Sequence, residues 1–309
     1  MTLQPQSPVE PNQYPLLPQK FIDKKFNTRF RSSTPLNSTL PIRKSVLTYL
    51  HHLDRCWRGG WSWQWPLIIA GPADGGKTQL AYQLMASSLL SFPAPWRISY
   101  SDLAGDYRPE RIQKILGWRK QGSPKQYQLG RVEKNTLYHK NDLYDMMEWN
   151  VNRPDLALWV IDAMEHLDFD RSILLNLQFL IEFGRRRNCG IIVTIRGDLD
   201  TIRPFIPWSL VPYFLYITPK RHRLFHLRVW QSGGSKQNSL NSNNSNNSIN
   251  SLYHKIYDRF LNFYGYFQEV RWWDEKEKPE KSRSSNSSKN SKKSKKSKIL
   301  YKTKKSDQR

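Results

Sequence analysis

A glycine-rich octapeptide constrains the fold of this chain more than any other segment, because it fits the pattern G-x-x-x-x-G-K-[ST] without a mismatch. It follows the apolar run Leu67–Ala70 and precedes a helical pattern from Thr78 to about Leu90, which is the strand-loop-helix context that the motif requires. We therefore predict a nucleotide-binding loop; the alternative is a glycine-rich turn that arose by chance. The predicted nucleotide-binding residues are Gly71, Pro72, Ala73, Asp74, Gly75, Gly76, Lys77 and Thr78.

Each of the polar and glycine residues of this loop suits phosphate binding. Gly75 and Gly76 allow successive backbone N–H groups to face phosphate oxygens, and the positive end of the following helix favours the same anions. Lys77 would supply a charge to the β- and γ-phosphates, and the Thr78 hydroxyl would ligate Mg²⁺. ATP and Mg²⁺ are therefore the expected ligands.

Asp162 is the second candidate ligand for the metal ion. It ends the apolar run Leu156–Ile161, 85 residues beyond Lys77, where a strand-terminal carboxylate would complete the magnesium site of a phosphate loop. The alternative is that Asp162 caps a following helix, since aspartate is also a frequent N-cap residue. Thr78 and Asp162 together form the predicted metal site.

Short apolar runs alternate with helical patterns along the chain, which predicts an α/β domain with a mainly parallel central sheet. Ile191–Thr194 is a further buried strand, and Ser172–Phe183 has apolar residues at helical spacing. Phe214–Ile217 and Phe225–Val229 flank a basic turn, so we expect a hairpin that closes one edge of the sheet.

Charge and composition divide the chain into an arm, a domain and a tail. The net charge is +23, from 49 Lys+Arg and 26 Asp+Glu, and residues 281–309 hold 12 basic residues and 1 acidic residue of these. We predict an extended proline-rich arm over 1–41, a folded domain over 42–273 with a Ser/Asn-rich loop at 232–251, and a disordered tail over 274–309. Neither a membrane span nor a secretory signal is expected.

Several segments share a pattern with one protein family. In chain order they are Leu53–Gly60, Gly76–Leu80, Tyr100–Arg111, which contains Tyr-Arg-Pro-Glu-Arg, then Val160–Ala163 and Val193-Thr194. Their order and spacing, from about residue 45 to 230, resemble the RecA/RadA recombinase superfamily, in particular the branch of archaeal RadA and the eukaryotic recombinases. The resemblance implies a RecA-like P-loop NTPase core.

Two departures from that family indicate what kind of member this chain would be. Ala104 stands where the family has the glutamate that polarises the attacking water, and Ile195-Arg196 stands where it has a γ-phosphate-sensing glutamine. A methyl group cannot deprotonate water, so we expect weak ATPase activity or none; Asp102 or Asp106 is the alternative source of a carboxylate. The chain thus resembles a recombinase paralogue, either RadB-like or eukaryotic.

The resemblance to paralogues implies a mediator of homologous recombination and DNA double-strand break repair. Such a protein would bind single-stranded or duplex DNA and assist a strand-exchange recombinase, in a hetero-oligomer with the recombinase or with other paralogues. The lysine-rich tail favours the nucleus, with the cytoplasm of an archaeon as the alternative. Two other functions stay open: a non-enzymatic scaffold subunit of a paralogue complex, and a DNA-translocating P-loop motor ATPase.

Basic residues outside the predicted core are the candidates for DNA contact, because Lys and Arg neutralise backbone phosphates. One group lies in the predicted hairpin turn and another in the tail. The first group is also typical of a solvated turn, and the second of a nuclear-import signal. The predicted DNA-binding residues are Lys220, Arg221, Arg223, Lys292, Lys293, Lys295 and Lys296.

Two aromatic patterns have both structural and binding interpretations. Trp61, Trp63 and Trp65 alternate, so we expect them on one face of a strand, as core or subunit-contact residues or as a base-stacking surface. The second pattern has helical spacing and predicts a helix that packs on the core or binds a partner. Its residues are Tyr253, Tyr257, Phe260, Tyr264 and Phe267.

Overall fold

Nine strands of the described part of the chain form one mixed sheet. The computed structural model describes residues 45–63, 65–119, 126–167, 171–207, 210–232, 253–263 and 267–269, together with Lys20. The strands are β1 (Leu67–Gly71), β2 (Arg97–Asp102), β3 (Val132–Thr136), β4 (Leu156–Asp162), β5 (Gly190–Arg196), β6 (Tyr213–Arg221), β7 (Leu224–Ser232), β8 (Tyr253–Phe263) and β9 (Phe267–Glu269).

The order of strands across the sheet is β3-β2-β4-β5-β1-β6-β7-β8-β9. The strands from β3 to β6 in this order run parallel, and β7, β8 and β9 are added antiparallel on one side. Every residue of β1 and β4 is buried, as expected of central parallel strands with helices on both faces. The predicted α/β domain with a mainly parallel sheet is therefore confirmed.

Helices cover the two faces of this sheet. They are α1 (His51–Cys56), α2 (Lys77–Ser91), α3 (Pro109–Arg119), α4 (Lys140–Val151), α5 (Arg171–Arg187) and α6 (Leu199–Ile202), with 3-10 turns at Gln126–Arg131, Met164–His166 and Arg203–Phe205. The connections from β1 to β3 run across the sheet in one direction, whereas those from β3 to β6 run in the other. Since such crossovers are right-handed, α2 and α3 lie on one face, and α4 and α5 on the opposite face.

Side chains of the central strands alternate between two hydrophobic cores, one on each face. Leu67 and Ile69 of β1 belong to the core that contains residues of α2 and α3, while Ile68 and Ala70 belong to the core that contains residues of α4 and α5. This alternation explains why the sequence of a central strand is a continuous apolar run. Successive side chains point to opposite faces of the sheet, and helices cover both faces.

Two predicted helices and one predicted strand occur where the apolar spacing indicated them. Helix α2 covers the pattern from Thr78 to about Leu90, helix α5 covers Ser172–Phe183, and β5 contains Ile191–Thr194. Helix α5 ends in three arginines. Their positive charge suits the C-terminal end of a helix, where the backbone carbonyls leave a partial negative charge.

The predicted hairpin exists, but it does not close the sheet. Strands β6 and β7 pair antiparallel, with Phe214 opposite Trp230 and Ile217 opposite Leu227. Strand β8 pairs with the other side of β7, and β9 pairs with β8. The outer backbone groups of β7 therefore have hydrogen-bond partners instead of forming an exposed edge.

The helix predicted from the second aromatic pattern is wrong. Tyr253, Tyr257 and Phe260 lie in β8 and Phe267 lies in β9, while Tyr264 falls outside the described residues. A spacing of three and four residues is typical of a helix face, but aromatic residues also favour strands. The strand is favoured over a helix here because the backbone N–H and C=O groups on the outer side of β7 need hydrogen-bond partners. A neighbouring strand supplies these partners, and a helix does not.

The alternating tryptophans do not share one face of a strand. Trp61 forms an isolated β-bridge with Val46. Trp61 and Trp63 are buried in the core, whereas Trp65 is 52% exposed. The indole N–H of Trp61 donates to the carbonyl of Trp65 at 3.1 Å, so the segment turns back on itself. The core interpretation holds for two of the three residues, and the prediction of a common face is wrong.

Most of the predicted arm, the Ser/Asn-rich loop and the tail lie outside the described residues. The residues that the structure describes all fall within one compact unit, Met1–Val270. None of the helices within this described part is both long enough and apolar enough to cross a membrane.

Candidate functional site

A cleft of about 490 Å³ opens at the carboxyl ends of the parallel strands. Strands β1 and β5 are neighbours, but the chain leaves β1 toward β2 and leaves β5 toward β6, in opposite directions across the sheet. Such a reversal between adjacent strands forms the crevice in which open α/β sheets bind their ligands. The lining comes from the glycine-rich loop, the turns after β2 and β4, the end of β5, and aromatic residues of β7, β8 and β9.

The glycine-rich loop connects β1 to α2 and depends on two of its glycines. A Cβ atom on Gly71 would lie 2.1 Å from the carbonyl oxygen of Ile217 in the neighbouring strand β6. Gly76 has a φ of +86°, in the left-handed region, and a Cβ atom there would lie 2.8 Å from the ring of Phe267. Glycine is therefore required first by the close approach of β6 and then by the backbone that begins α2.

Lys77, in the first turn of α2, is almost fully buried at the cleft. Its ammonium group donates to the carbonyl of Pro72 at 2.7 Å, so the side chain folds back over the loop. Burial lowers the pKa of Lys77, whereas the charges of Glu165 and Asp162 raise it and that of Arg196 lowers it. The cleft thus holds a largely desolvated cation close to two carboxylates.

Three hydroxyl groups converge on the carboxylate of Asp162, the last residue of β4. The Thr78 hydroxyl donates to its two oxygens at 2.9 and 3.1 Å, the Tyr100 hydroxyl donates at 2.6 Å, and the Thr194 hydroxyl donates as well. Burial raises the pKa of Asp162, and these hydrogen bonds oppose that rise. The structure therefore brings together Thr78 and Asp162, the two predicted metal ligands.

Asp162 does not act as a helix cap. The short turn Met164–His166 begins after Ala163 and has no side-chain cap. The backbone N–H of Ala163 instead donates to the hydroxyl oxygen of Thr194 at 2.8 Å. Thr194 thus connects the end of β5 to the turn after β4 and orients Asp162 at the same time. Of the two interpretations of Asp162, the N-cap is wrong.

Asp102, at the end of β2, stabilises the turn that follows this strand. Its buried carboxylate accepts three backbone N–H groups of the turn at 2.8 to 3.1 Å and pairs with Lys134 at 3.3 Å. Ala104 and Asp106 of the same turn line the cleft. Asp102 and Asp106 are the two possible replacements for a catalytic glutamate. Of these, Asp106 lines the cleft, whereas the carboxylate of Asp102 is bound to backbone N–H groups.

Glu165 is an acidic residue of the cleft that the sequence analysis missed. It lies half-buried in the 3-10 turn after β4, and its carboxylate accepts the backbone N–H of Arg196 at 2.8 Å. Arg196 also lines the cleft, whereas Ile195 is fully buried in the core. The signal that could have identified Glu165 is its spacing of three residues from Asp162, because one turn of 3-10 helix returns the chain to the same side.

Tyr82 and two arginines form the wall of the cleft beside the turn after β2. The Tyr82 hydroxyl accepts the backbone N–H of Arg108 at 2.9 Å and donates to the carbonyl of Asp106 at 3.2 Å. Burial raises the pKa of Tyr82 to about 12, so this hydroxyl stays protonated at neutral pH. Arg111 donates to the side-chain oxygen of Gln79 at 3.4 Å. The wall is therefore positively charged.

Three phenylalanines from the antiparallel strands form an apolar patch next to Gly76. The rings of Phe225 and Phe267 lie 5.2 Å apart in an edge-to-face arrangement, and Phe263 and Phe267 lie 5.3 Å apart. All three line the cleft. The spacing of the aromatic residues in the sequence predicted a helix for Phe267 and therefore gave no indication of this role.

The predicted DNA-binding residues of the folded domain lie at the turn between β6 and β7. Lys220, Arg221 and Arg223 are all exposed there. Because β6 runs parallel to β1, this turn lies at the same edge of the sheet as the glycine-rich loop. Lys292, Lys293, Lys295 and Lys296 fall outside the described residues.

No protein-family profile matches the sequence, and no curated protein is significantly similar to it. Among the residues that the structure describes, no three His, Cys, Asp or Glu side chains come together in a way that could hold a metal ion.

Proposed function

We propose that the cleft binds ATP together with Mg²⁺. The observation that supports this most directly is the contact of 2.9 Å between the Thr78 hydroxyl and the Asp162 carboxylate, beside the buried ammonium group of Lys77. A hydroxyl at the start of a helix and an aspartate at the end of a strand are the two protein ligands that P-loop NTPases offer to the metal ion.

The phosphates would lie against the loop between Ala73 and Thr78, where α2 begins. Helix α2 is 15 residues long, so its first N–H groups and its dipole favour an anion at this end. Lys77 would exchange the carbonyl of Pro72 for phosphate oxygens, which are stronger, charged acceptors. The apolar patch of Phe225, Phe263 and Phe267 offers a surface for the planar base.

The residues present fit a magnesium ion. Mg²⁺ bound with a nucleotide needs only one or two protein ligands, since phosphate oxygens and water complete its shell, and the hydroxyl of Thr78 and the carboxylate of Asp162 are of the oxygen type that it prefers. When bound, the ion neutralises charge on the β- and γ-phosphates. Tyr100 and Thr194 keep Asp162 in place by donating hydrogen bonds to it.

We propose that ATP is held in the cleft longer than an active recombinase would hold it. Ala104 supplies no carboxylate, and the buried side chain of Ile195 cannot sense a phosphate. Arg196 brings a cation to the cleft, but it lacks the paired donor and acceptor of an amide. Slow ATP hydrolysis, with little or no stimulation by DNA, is the expected behaviour.

The proposed biological role is that of a recombinase paralogue, a mediator in homologous recombination and DNA double-strand break repair. In its support, segments that resemble the RecA/RadA superfamily contribute to one cleft, namely Gly76–Leu80, Tyr107–Arg111 and Val160–Ala163. The exposed turn Lys220–Arg223 would contact DNA. The protein would assist a strand-exchange recombinase within a hetero-oligomer, in the nucleus or in the cytoplasm of an archaeon.

Calorimetric titration of the purified protein with ATP and Mg²⁺ tests the nucleotide site. Lys77→Ala should weaken ATP binding by roughly tenfold or more, because hydrogen bonds to charged groups contribute about 1.5–3 kcal/mol. Lys140→Ala, at an exposed lysine of α4, is the matched control and should bind ATP as the wild type does. A wild-type protein that binds no ATP would contradict the proposal.

A strand-exchange assay tests the role in recombination. The wild-type protein, added to a recombinase on single-stranded DNA, should stimulate exchange, and Lys77→Ala should not. Robust exchange without a recombinase would instead indicate an active recombinase. If Lys77→Ala restores resistance to DNA damage in cells as well as the wild type does, the protein acts as a scaffold that does not need the nucleotide.

A further inference from the structure

We propose that Glu165 is the catalytic base of this cleft, whose carboxylate takes the proton from the water that attacks the γ-phosphate of ATP. This inference rests on the proposed binding of ATP and goes beyond it. It moves the catalytic carboxylate from the turn after β2, where Ala104 stands, to the turn after β4. Both turns line the same cleft.

Two of the other carboxylates near the cleft already have structural partners. Asp162 is fully buried and accepts three hydroxyl groups. Asp102 is fully buried and accepts three backbone N–H groups. The backbone carbonyl of Asp106 accepts the Tyr82 hydroxyl, while its side chain lines the cleft and is the alternative that the Asp106→Asn variant tests. The acidic side chains that line the cleft itself are Asp74, Asp106 and Glu165.

Glu165 has the contact that a positioned base requires. One carboxylate oxygen accepts the backbone N–H of Arg196 at 2.8 Å, and the side chain is half-buried at the cleft. An ionised carboxylate has about four lone-pair sites. The backbone donor thus holds the group in place and leaves capacity for a water molecule and its proton.

Glu165 and Lys77 line the same cleft. Lys77 is the residue that would contact the β- and γ-phosphates. Of the charges that act on the pKa of Lys77, Glu165 has the largest effect, ahead of Asp162 and Asp74. A general base must lie within hydrogen-bond reach of the proton that it takes, directly or through one water molecule. Glu165 lines the same cleft as Lys77, and its carboxylate is held there by the Arg196 N–H, so we place the base at this position.

The backbone that carries Glu165 is constrained by its surroundings. Ala163 has a φ of +64°, in a region that residues other than glycine seldom adopt, and its N–H donates to Thr194. Such conformations cluster at functional sites, where the surrounding structure maintains them. Here the turn reverses the chain directly after Asp162, so that Glu165 returns to the same cleft.

The reaction balances without another reactant. The oxygen of a water molecule forms a bond to the γ-phosphorus, and the bond between this phosphorus and the β,γ-bridging oxygen breaks. ADP leaves with the electron pair of that bond. The water gives one proton to the Glu165 carboxylate, which passes it to the released phosphate or to solvent.

Variants of the full-length protein test this assignment. Glu165→Gln keeps the size of the side chain and an oxygen that can accept the Arg196 N–H. It should bind ATP with Mg²⁺ within about threefold of the wild type in calorimetry, yet release phosphate in a single turnover roughly 100-fold more slowly, as expected when a general base is removed. Glu148→Gln, at an exposed glutamate of α4, is the control and should cleave ATP as the wild type does.

The possible outcomes separate the two proposals. If the wild type binds no ATP, the proposed function itself fails. If it binds and cleaves ATP, the assignment is overturned when Glu165→Gln cleaves as fast, when Glu165→Gln loses binding instead of cleavage, or when Asp106→Asn alone abolishes cleavage. A wild-type protein that binds ATP and never cleaves it also overturns the assignment, while nucleotide binding stands.

Discussion

The hydroxyl of Tyr100 donates a hydrogen bond of 2.6 Å to the carboxylate of Asp162, and both residues are fully buried. Tyr100 lies in β2 and Asp162 ends β4, on adjacent parallel strands. A carboxylate out of contact with water is stable only when donors of this kind surround it. The orientation of the proposed metal ligand thus depends on a residue that is 62 positions away in the sequence.

Tyr100→Phe should destabilise the protein and weaken ATP binding. The variant removes a donor from a buried carboxylate without changing the shape of the ring, and hydrogen bonds to charged groups contribute about 1.5–3 kcal/mol. Urea denaturation should therefore show a loss of that size in the free energy of unfolding. Tyr107→Phe is the control, because the Tyr107 ring packs 4.8 Å from that of Tyr100 while Tyr107 is only half-buried. Equal losses in both variants would contradict the role of the Tyr100 hydroxyl.

Asp162 should make stability depend on pH. Its pKa is raised in the folded protein, mainly by burial, so the folded state keeps this proton to a higher pH than the unfolded chain does. The stabilising contribution is complete below the ordinary carboxyl pKa of about 3.9 and is lost as the pH rises through the raised value. The free energy of unfolding of the wild type minus that of Asp162→Asn should thus decrease from acidic to neutral pH in urea titrations.

Asp142 is a matched control with the opposite sign. Its carboxylate accepts the backbone N–H groups of Tyr138 and His139 at 2.7 and 2.9 Å, and these bonds lower the pKa of Asp142. The stability that it contributes is present above the ordinary carboxyl pKa and is lost as the pH falls through the lowered value. Asp142→Asn should therefore approach the wild type in acid. Two variants with the same pH dependence would show that burial does not control Asp162.

Local patterns account for the parts of the cleft that were predicted. Strand β1, the loop and α2 are contiguous between Leu67 and Ser91, so an apolar run, a glycine motif and helical spacing identify them in one reading. Asp162 directly follows its apolar run in the same way. None of these features requires knowledge of which distant strands are neighbours.

The remaining parts depend on pairing between distant segments. Tyr100 reaches Asp162 because Tyr100 is in register with Val160, and nothing local in the sequence determines that register. Strand β8 was missed for the same reason: its aromatic spacing fits a helix, and only the position of β7 beside it selects the strand. Tertiary context outweighed local periodicity at both places.

Gly76→Ala should destabilise the protein more than Gly105→Ala does. Both glycines have a positive φ, +86° and +75°, so both variants carry a left-handed backbone cost of about 1–2 kcal/mol. An added Cβ at Gly76 also meets the ring of Phe267 at 2.8 Å, whereas nothing lies within 4 Å at Gly105. Urea denaturation should therefore rank the losses in this order. Equal losses in the free energy of unfolding would show that the Phe267 ring moves aside without destabilising the protein.

Neutralising the basic turn should reduce the salt dependence of DNA binding. Lys220, Arg221 and Arg223 are exposed at the end of the β6–β7 hairpin, where each could neutralise one phosphate. The slope of log K against log salt changes by about 0.7 for each phosphate on single strands and by about 0.9 on duplex DNA. The triple Gln variant should therefore flatten the slope by roughly 2 on single-stranded DNA, in fluorescence titrations at several salt concentrations.

Two further variants show whether the hairpin turn or the tail contacts DNA. Arg185→Gln removes an exposed arginine that pairs with Glu182 at 2.7 Å on α5, so it should leave the slope unchanged. Deletion of residues 281–309 removes a net charge of +11 and should flatten the slope while ATP binding persists. If the deletion alone has an effect, DNA contact belongs to the tail and the hairpin turn is only solvated. If the triple variant alone has an effect, the tail is free to serve as an import signal.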